Sequence, residues 1–195
     1  MPRSYDMTRR AEQVAQTRRR ITEAAVELHG SVGPARTTIT AIAERAGVDR
    51  LTVYRHFPDE DALFAACSSH WLGAHPYPDP ARWASIADPR ERMTRALSDL
   101  YAWYRDNHAM MENVLRDAAE VPSLADRPER WAGYNRTVVG TLVPGWRARG
   151  RRGDVLRAAI AHAVALDTWR SLTNHGLGDR AAAALMLRLV EVTAR

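Results

Sequence analysis

Between Arg50 and His56 the run Arg-Leu-Thr-Val-Tyr-Arg-His gathers two guanidinium groups, two hydroxyls and an imidazole on seven consecutive residues. An arginine fork can donate two parallel hydrogen bonds to guanine O6 and N7, a threonine methyl can meet thymine, and hydroxyl or imidazole donors suit phosphate oxygens. At about 100° per residue, Val53 and Phe57 fall on one side of a helix and Leu51, Thr52 and Arg55 on the other, with Tyr54 and His56 on the flanks. Such a helix, laid in a major groove, would turn Leu51, Thr52 and Arg55 to base edges. Arg50 would reach in from the N-terminus, and Tyr54 and His56 would meet the sugar-phosphate walls.

The surrounding residues have the grammar of a helix-turn-helix. Ala43 offers the small contact a steep helix crossing needs, Gly47 tolerates the positive φ of a tight turn, and Val53 anchors the second helix. Ile42, Ala46, Val48 and Phe57 complete a small core. Periodicity alone also fits a packed helical corner with a solvated basic face. Upstream, Ile21, Ala24, Ala25 and Leu28 form an apolar stripe on a helix that Gly33-Pro34 stops. Thr38 is placed to cap the helix 39–46 and Asp49 the helix 50–56, while Pro58 with Asp59, Glu60 and Asp61 opens a fourth helix running to about 72. Residues 1–13, without apolar periodicity, are expected to form a flexible basic arm. The expected domains are then 14–64 and 65–195.

The whole chain sets bounds on this reading. It has 195 residues, 46% of them hydrophobic, enough to bury a substantial core. Its formal charge is +5, of which residues 1–58 carry +4. All 28 cationic side chains are arginine, a bias that a GC-rich coding genome also produces. Cys67 is the only cysteine, so no intrachain disulfide forms, which fits a reducing compartment. Met1–Arg10 lacks the apolar stretch of a secretory leader, and no run approaches a membrane span, so a cytoplasmic location is expected. The catalytic motifs of hydrolases, P-loop proteins, dinucleotide binders and zincins are absent. His70 and His75 have no third plausible metal ligand, and His108 with Glu112 reads as a surface pair. Neither an enzyme nor a metal or cofactor is expected.

The second half reads as helical throughout, which makes the fold class all-α. A connector with Pro76, Pro78, Pro80 and Pro89 spans 73–89. Helical patterns follow at about 90–107, 108–120, 127–149, 152–175 and 179–194, with Pro144 kinking or splitting the third. The last is apolar nearly all round, so a partner subunit is the natural cover for its second side. The helix before it offers Val155, Ala159, His162, Leu166, Trp169 and Leu172 or Thr173 on one stripe. Leu166, Trp169, Leu185, Met186 and Leu189 are the candidate interface of a homodimer built as a four-helix bundle. Trp103, Tyr104, His108, Met110, Trp131, Tyr134, Asn135 and Trp169 are candidates for a mostly apolar pocket holding a small apolar or aromatic effector, ordinary packing being the alternative.

Residues 17–64 resemble the DNA-binding domain of the TetR family of repressors. The resemblance rests on Thr37-Thr38-Ile39-Thr40-Ala41-Ile42-Ala43, Gly47-Val48 and Thr52-Val53-Tyr54-Arg55-His56-Phe57-Pro58. Thr168-Trp169-Arg170-Ser171-Leu172 with Gly176-Leu177 resembles the family's C-terminal region. The resemblance implies an N-terminal three-helix DNA-binding domain and a helical effector-binding and dimerisation domain. It also implies roles for Thr38 on phosphate, Thr40 on a base, and Arg18 or Arg19 at the DNA backbone. His29 and Glu60 depart from the family's pattern, which often has an aromatic and a phosphate-binding lysine there. The implied function is sequence-specific binding of a near-palindromic operator by a regulator, repressing until a small molecule releases it. An architectural DNA-binding protein without effector, and an enzyme using His or Asp of the C-terminal domain, are the alternatives.

Overall fold

The computed structural model describes residues 2–194, with side chains from Met7 onward. Among the described residues the fold is all helical, in ten α-helices. The chain runs α1 (Pro2–Ser31), α2 (Ile39–Ala46), α3 (Arg50–His56), α4 (Glu60–Ala74), α5 (Pro80–Ala84), α6 (Pro89–Asp117), α7 (Arg127–Leu142), α8 (Arg151–Ala163), α9 (Leu166–Asn174) and α10 (Asp179–Ala194). It groups into two compact units: Met1–Pro76 with Ala109–Arg127, and Tyr77–His108 with Pro128–Arg195. Instead of a single boundary near 64–72, residues 109–127 group with the N-terminal unit.

In the first unit, Ile21, Ala24, Ala25, Ile42, Ala43, Ala46, Val53, Phe57, Leu63 and Cys67 form one buried cluster joining α1 to α4. Residues 109–127 belong here for polar as well as apolar reasons. Asn113 donates from Nδ2 to the carbonyls of His29 (3.0 Å) and Gly30 (2.9 Å), and Asp117 accepts from Ala35 N at 3.0 Å. The Asn113 bonds take up carbonyls at the end of α1 that its own hydrogen bonds leave over, and Asp117 takes up an N–H of the turn that follows.

The second unit is built around α6, whose Met93, Ala96, Leu97, Leu100, Tyr101 and Tyr104 are fully buried. Its α8–α9 and α7–loop junctions are held by long side chains. Tyr101 and Tyr104 donate to the carbonyls of Ala163 (2.7 Å) and Val164 (2.6 Å), where α8 ends. Buried Arg92 donates to Ile86 O, Ala87 O, Thr141 O and Pro144 O, satisfying carbonyls of two loops with one guanidinium.

Several expected boundaries move. The segment expected as a flexible arm is helical from Pro2, its residues from Met7 to Gln16 exposed; Ala, Glu, Gln and Arg there favour a helix even without a core to cover. The two patterns at 90–107 and 108–120 are one 29-residue helix, because nothing at 107–108 breaks it. The pattern at 152–175 is two helices, split at Val164–Ala165, where the tyrosine hydroxyls replace the missing helical partners. Pro144 lies just beyond α7, which ends at Leu142.

Candidate nucleic-acid interface

The corner between α2 and α3 is closed by local bonds. Gly47 has φ 64° and ψ 43°, and its N–H with that of Val48 returns to the carbonyls of Glu44 (3.2 Å) and Ala43 (3.0 Å). This paired return to the last turn needs a left-handed residue, which glycine provides without a Cβ clash. Thr38 caps α2 by accepting from Ala41 N at 3.1 Å. Asp49 caps α3 through Thr52 N at 2.7 Å, and that bond, with one from the Thr52 hydroxyl and the charge of Arg55, holds its carboxyl below the usual range. A carboxylate at the start of α3 also suits the positive end of the helix.

The faces of α3 separate as the sequence indicates. Val53 and Phe57 are 0% and 2% exposed, whereas Leu51 is 69% and Tyr54 47% exposed. Arg50 and Arg55 are exposed, and Thr52 and His56 half-buried. Arg55 Nη2 donates to Thr52 Oγ1 at 2.5 Å, and Thr52 Oγ1 donates to Asp49 Oδ2 at 3.0 Å. The Thr52 hydroxyl is thus engaged from both sides, and the same relay ties the Arg55 guanidinium to α3 through Thr52.

Arg18 takes a position that spacing does not disclose. Its Nη1 donates to the His56 carbonyl at the end of α3, and its guanidinium carbon lies 4.1 Å from the Phe57 ring centroid. It therefore fastens α1 to the end of the helix whose outer face is in question. Burial, then the charges of Arg18 and Arg55, lowers the His56 pKa, so its imidazole is neutral near pH 7. Arg19 and Thr40 are exposed. Glu60 and Asp61 occupy the first turn of α4.

The effector candidates divide. In the second unit, Trp103, Tyr104, Trp131, Tyr134, Trp169 and His108 form a continuous ring cluster with centroids 5.4–6.2 Å apart. Asn135 Oδ1, in the same unit, is buried without a hydrogen-bond partner among the described residues. Tyr77 belongs to the cluster too, its ring 4.9–5.4 Å from those of Trp103, Trp131 and Tyr134. It lies in the proline-rich connector, where no periodicity could mark it. Met110 does not join: it groups with the first unit, beside Gly30.

The interface candidates also need correction. Leu166, Trp169 and Met186 are 6%, 5% and 4% exposed, buried inside their own unit, so they have no outer face to offer. The split of the long expected helix at Val164–Ala165 rotates α9 off the stripe. Leu185 is half-buried and Leu189 is 50% exposed.

A buried apolar anchor, a glycine corner and an outward-facing helix carrying Arg50, Leu51 and Arg55 form a helix-turn-helix. Residues 21–67 match the sequence model of the family described as "Bacterial regulatory proteins, tetR family". The match spans the end of α1, the whole of α2 and α3 and the start of α4, so the resemblance to that family is carried by the helix-turn-helix region. Solved structures share its fold. They include a TetR-like transcriptional regulator from Rhodococcus sp. RHA1 (20% identity, TM-score 0.64, 89% of this chain and 93% of that one). NalD, the secondary repressor of the MexAB-OprM multidrug efflux pump in Pseudomonas aeruginosa, is similar at 20% identity and TM-score 0.61, over 93% and 97% of the two chains. A transcriptional regulator from Saccharomonospora viridis in complex with choline is similar at 20% identity and TM-score 0.60, over 91% and 95%. No curated protein matches the sequence.

Proposed function

We propose that this chain is a DNA-binding transcriptional regulator of the tetR family, a repressor that binds a near-palindromic operator as a homodimer and is released by a small molecule in its second unit. The observation that carries the reading is the sidedness of α3: Val53 and Phe57 sealed beneath, Leu51 and Arg55 presented above. In a dimer, two such helices enter successive major grooves about 34–36 Å apart. Arg55, Leu51 and the Thr52 methyl would then contact bases, with Arg50 from the helix start. Tyr54, His56, Thr38 and Arg19 would meet the backbone. Arg18 supports them by holding the end of α3.

A self-association face is supported by α8 and α10. On α10 the stripe Ala181, Ala184, Leu185, Arg188, Leu189 and Val192 is exposed or half-buried, opposite buried Ala182, Met186 and Val190. Val155 of α8 is 49% and Val192 67% exposed, and a second copy would cover such apolar surface. Effector binding is supported by the ring cluster of the second unit and the unmatched Asn135 oxygen. The relative from S. viridis carries choline, a cation that aromatic rings attract. Release requires the effector to favour a state of low operator affinity, typically by 1–3 kcal/mol. Such a protein would act in the cytoplasm, and no described helix is long and apolar enough to cross a membrane.

The test is selection of bound genomic fragments with purified protein, followed by footprinting. A protected two-fold symmetric site supports the reading; uniform binding to any duplex would favour an architectural role instead.

A further inference from the structure

The first unit contains a cavity that shares only Thr38 with the proposed DNA contacts. It has a volume of about 440 Å³ and lies among the end of α1, the start of α2, the start of α4 and the turn at Val121–Pro122. His29 and Glu60, the two residues singled out in the sequence, both line it.

We propose that this cavity is a binding site for a small organic cation with an apolar or aromatic body. His29 is 5% exposed and its ring stacks on Phe64 with centroids 5.0 Å apart and planes 11° from parallel. Its backbone carbonyl is used by Asn113, but no hydrogen bond to its ring nitrogens is seen among the described residues. The nearby Asp117 carboxylate is taken by Ala35 N and by Arg116. Burial, partly opposed by Asp117, lowers the His29 pKa to about 4, so the imidazole that lines the cavity is neutral at pH 7 and carries an acceptor nitrogen. Glu60 and Glu120 add two carboxylates to the wall, and neither is in an ion pair among the described residues. Ile42, Leu63, Phe64 and Val121 supply the apolar remainder. A neutral acceptor, two anions and an aromatic floor suit an ammonium group attached to a ring or short chain, and disfavour an anion of the same shape. Thr38, which caps α2, is also in the wall, so the occupant touches the helix that supports α3.

The experiment titrates full-length protein at pH 7 with benzylamine, benzyl alcohol and benzoate, one skeleton in three charge forms. The His29 imidazole NMR signals, assigned through His29→Phe, report occupancy here and tryptophan indole signals report the second unit. Benzylamine is expected to saturate the His29 shift, at least tenfold tighter than benzyl alcohol, and benzoate to leave it unmoved. The surface double variant Glu60→Gln/Glu120→Gln should weaken benzylamine at least tenfold and leave benzyl alcohol unchanged. The proposal is overturned by any of four results: no saturation with benzylamine, equal affinity for all three, undiminished binding in the double variant, or shifts confined to the indoles. None of these bears on operator binding, which footprinting tests separately.

Discussion

The corner between α2 and α3 and the junction between α8 and α9 are both abrupt changes of chain direction, yet they are built differently. The first is closed by neighbours in sequence: Gly47 and Val48 return to the last turn of α2, and Asp49 caps α3 from three residues away. The second is closed from afar. The carbonyls of Ala163 and Val164 are taken by Tyr101 and Tyr104, some sixty residues earlier, and no glycine or proline marks the break. Arg92 does the same for the loops after α5 and α7. The region set to meet DNA has its shape written locally, whereas the second unit holds its shape through long side chains reaching carbonyls.

The largest effect is expected at Arg92. Arg92→Met leaves four part-buried carbonyls short of a donor, and a loss of about 3 kcal/mol is expected in urea unfolding. A loss under about 1 kcal/mol would show that the distant contacts are incidental and break the comparison. His29 comes next and sharpens it, since it is a buried titratable group in the first unit, beside the distant contacts of Asn113 and Asp117. Its folded pKa of about 4 lies below the unfolded value of 6.5, so the unfolded chain binds the extra proton between these limits. Stability should therefore be full above about pH 6.5 and fall by about 3 kcal/mol as pH drops towards 4; His29→Phe should flatten that part of the profile.

Gly47→Ala should cost about 1–2 kcal/mol, all of it backbone conformation, because a Cβ there meets nothing within 4 Å. A cost matching that of Arg92→Met would erase the distinction between local and distant closure. The smallest effect is expected from Arg18→Ala. Loss of its contacts with Phe57 and the His56 carbonyl should lower thermal stability by roughly 0.5–1 kcal/mol and weaken DNA binding at every sequence.

The same contrast explains what could be read in advance. Thr38, Gly47, Asp49 and the sidedness of Val53 and Phe57 were legible because capping, turn geometry and helical period are properties of adjacent residues. The break at Val164–Ala165 was not, since it depends on tyrosine hydroxyls whose positions only the packed fold determines. Leu166 and Trp169 were misassigned to an outer face for that reason: one long helix would have exposed a stripe that two helices bury, while Met186 lies on the buried side of α10. Arg18 looked like a backbone contact because a basic helix start shows charge but not the direction in which a long side chain turns.

The account stands on α3 presenting base-reading groups outward, and the most direct measurement compares Arg55→Ala with the parent protein on selected operator and on scrambled duplex at fixed salt. A loss of about 1–3 kcal/mol on the operator, with relaxed preference at one base position in each half-site and little change on scrambled DNA, is the predicted result. Equal weakening on both duplexes would contradict it, leaving Arg55 a phosphate contact and the outward face of α3 without a reading role.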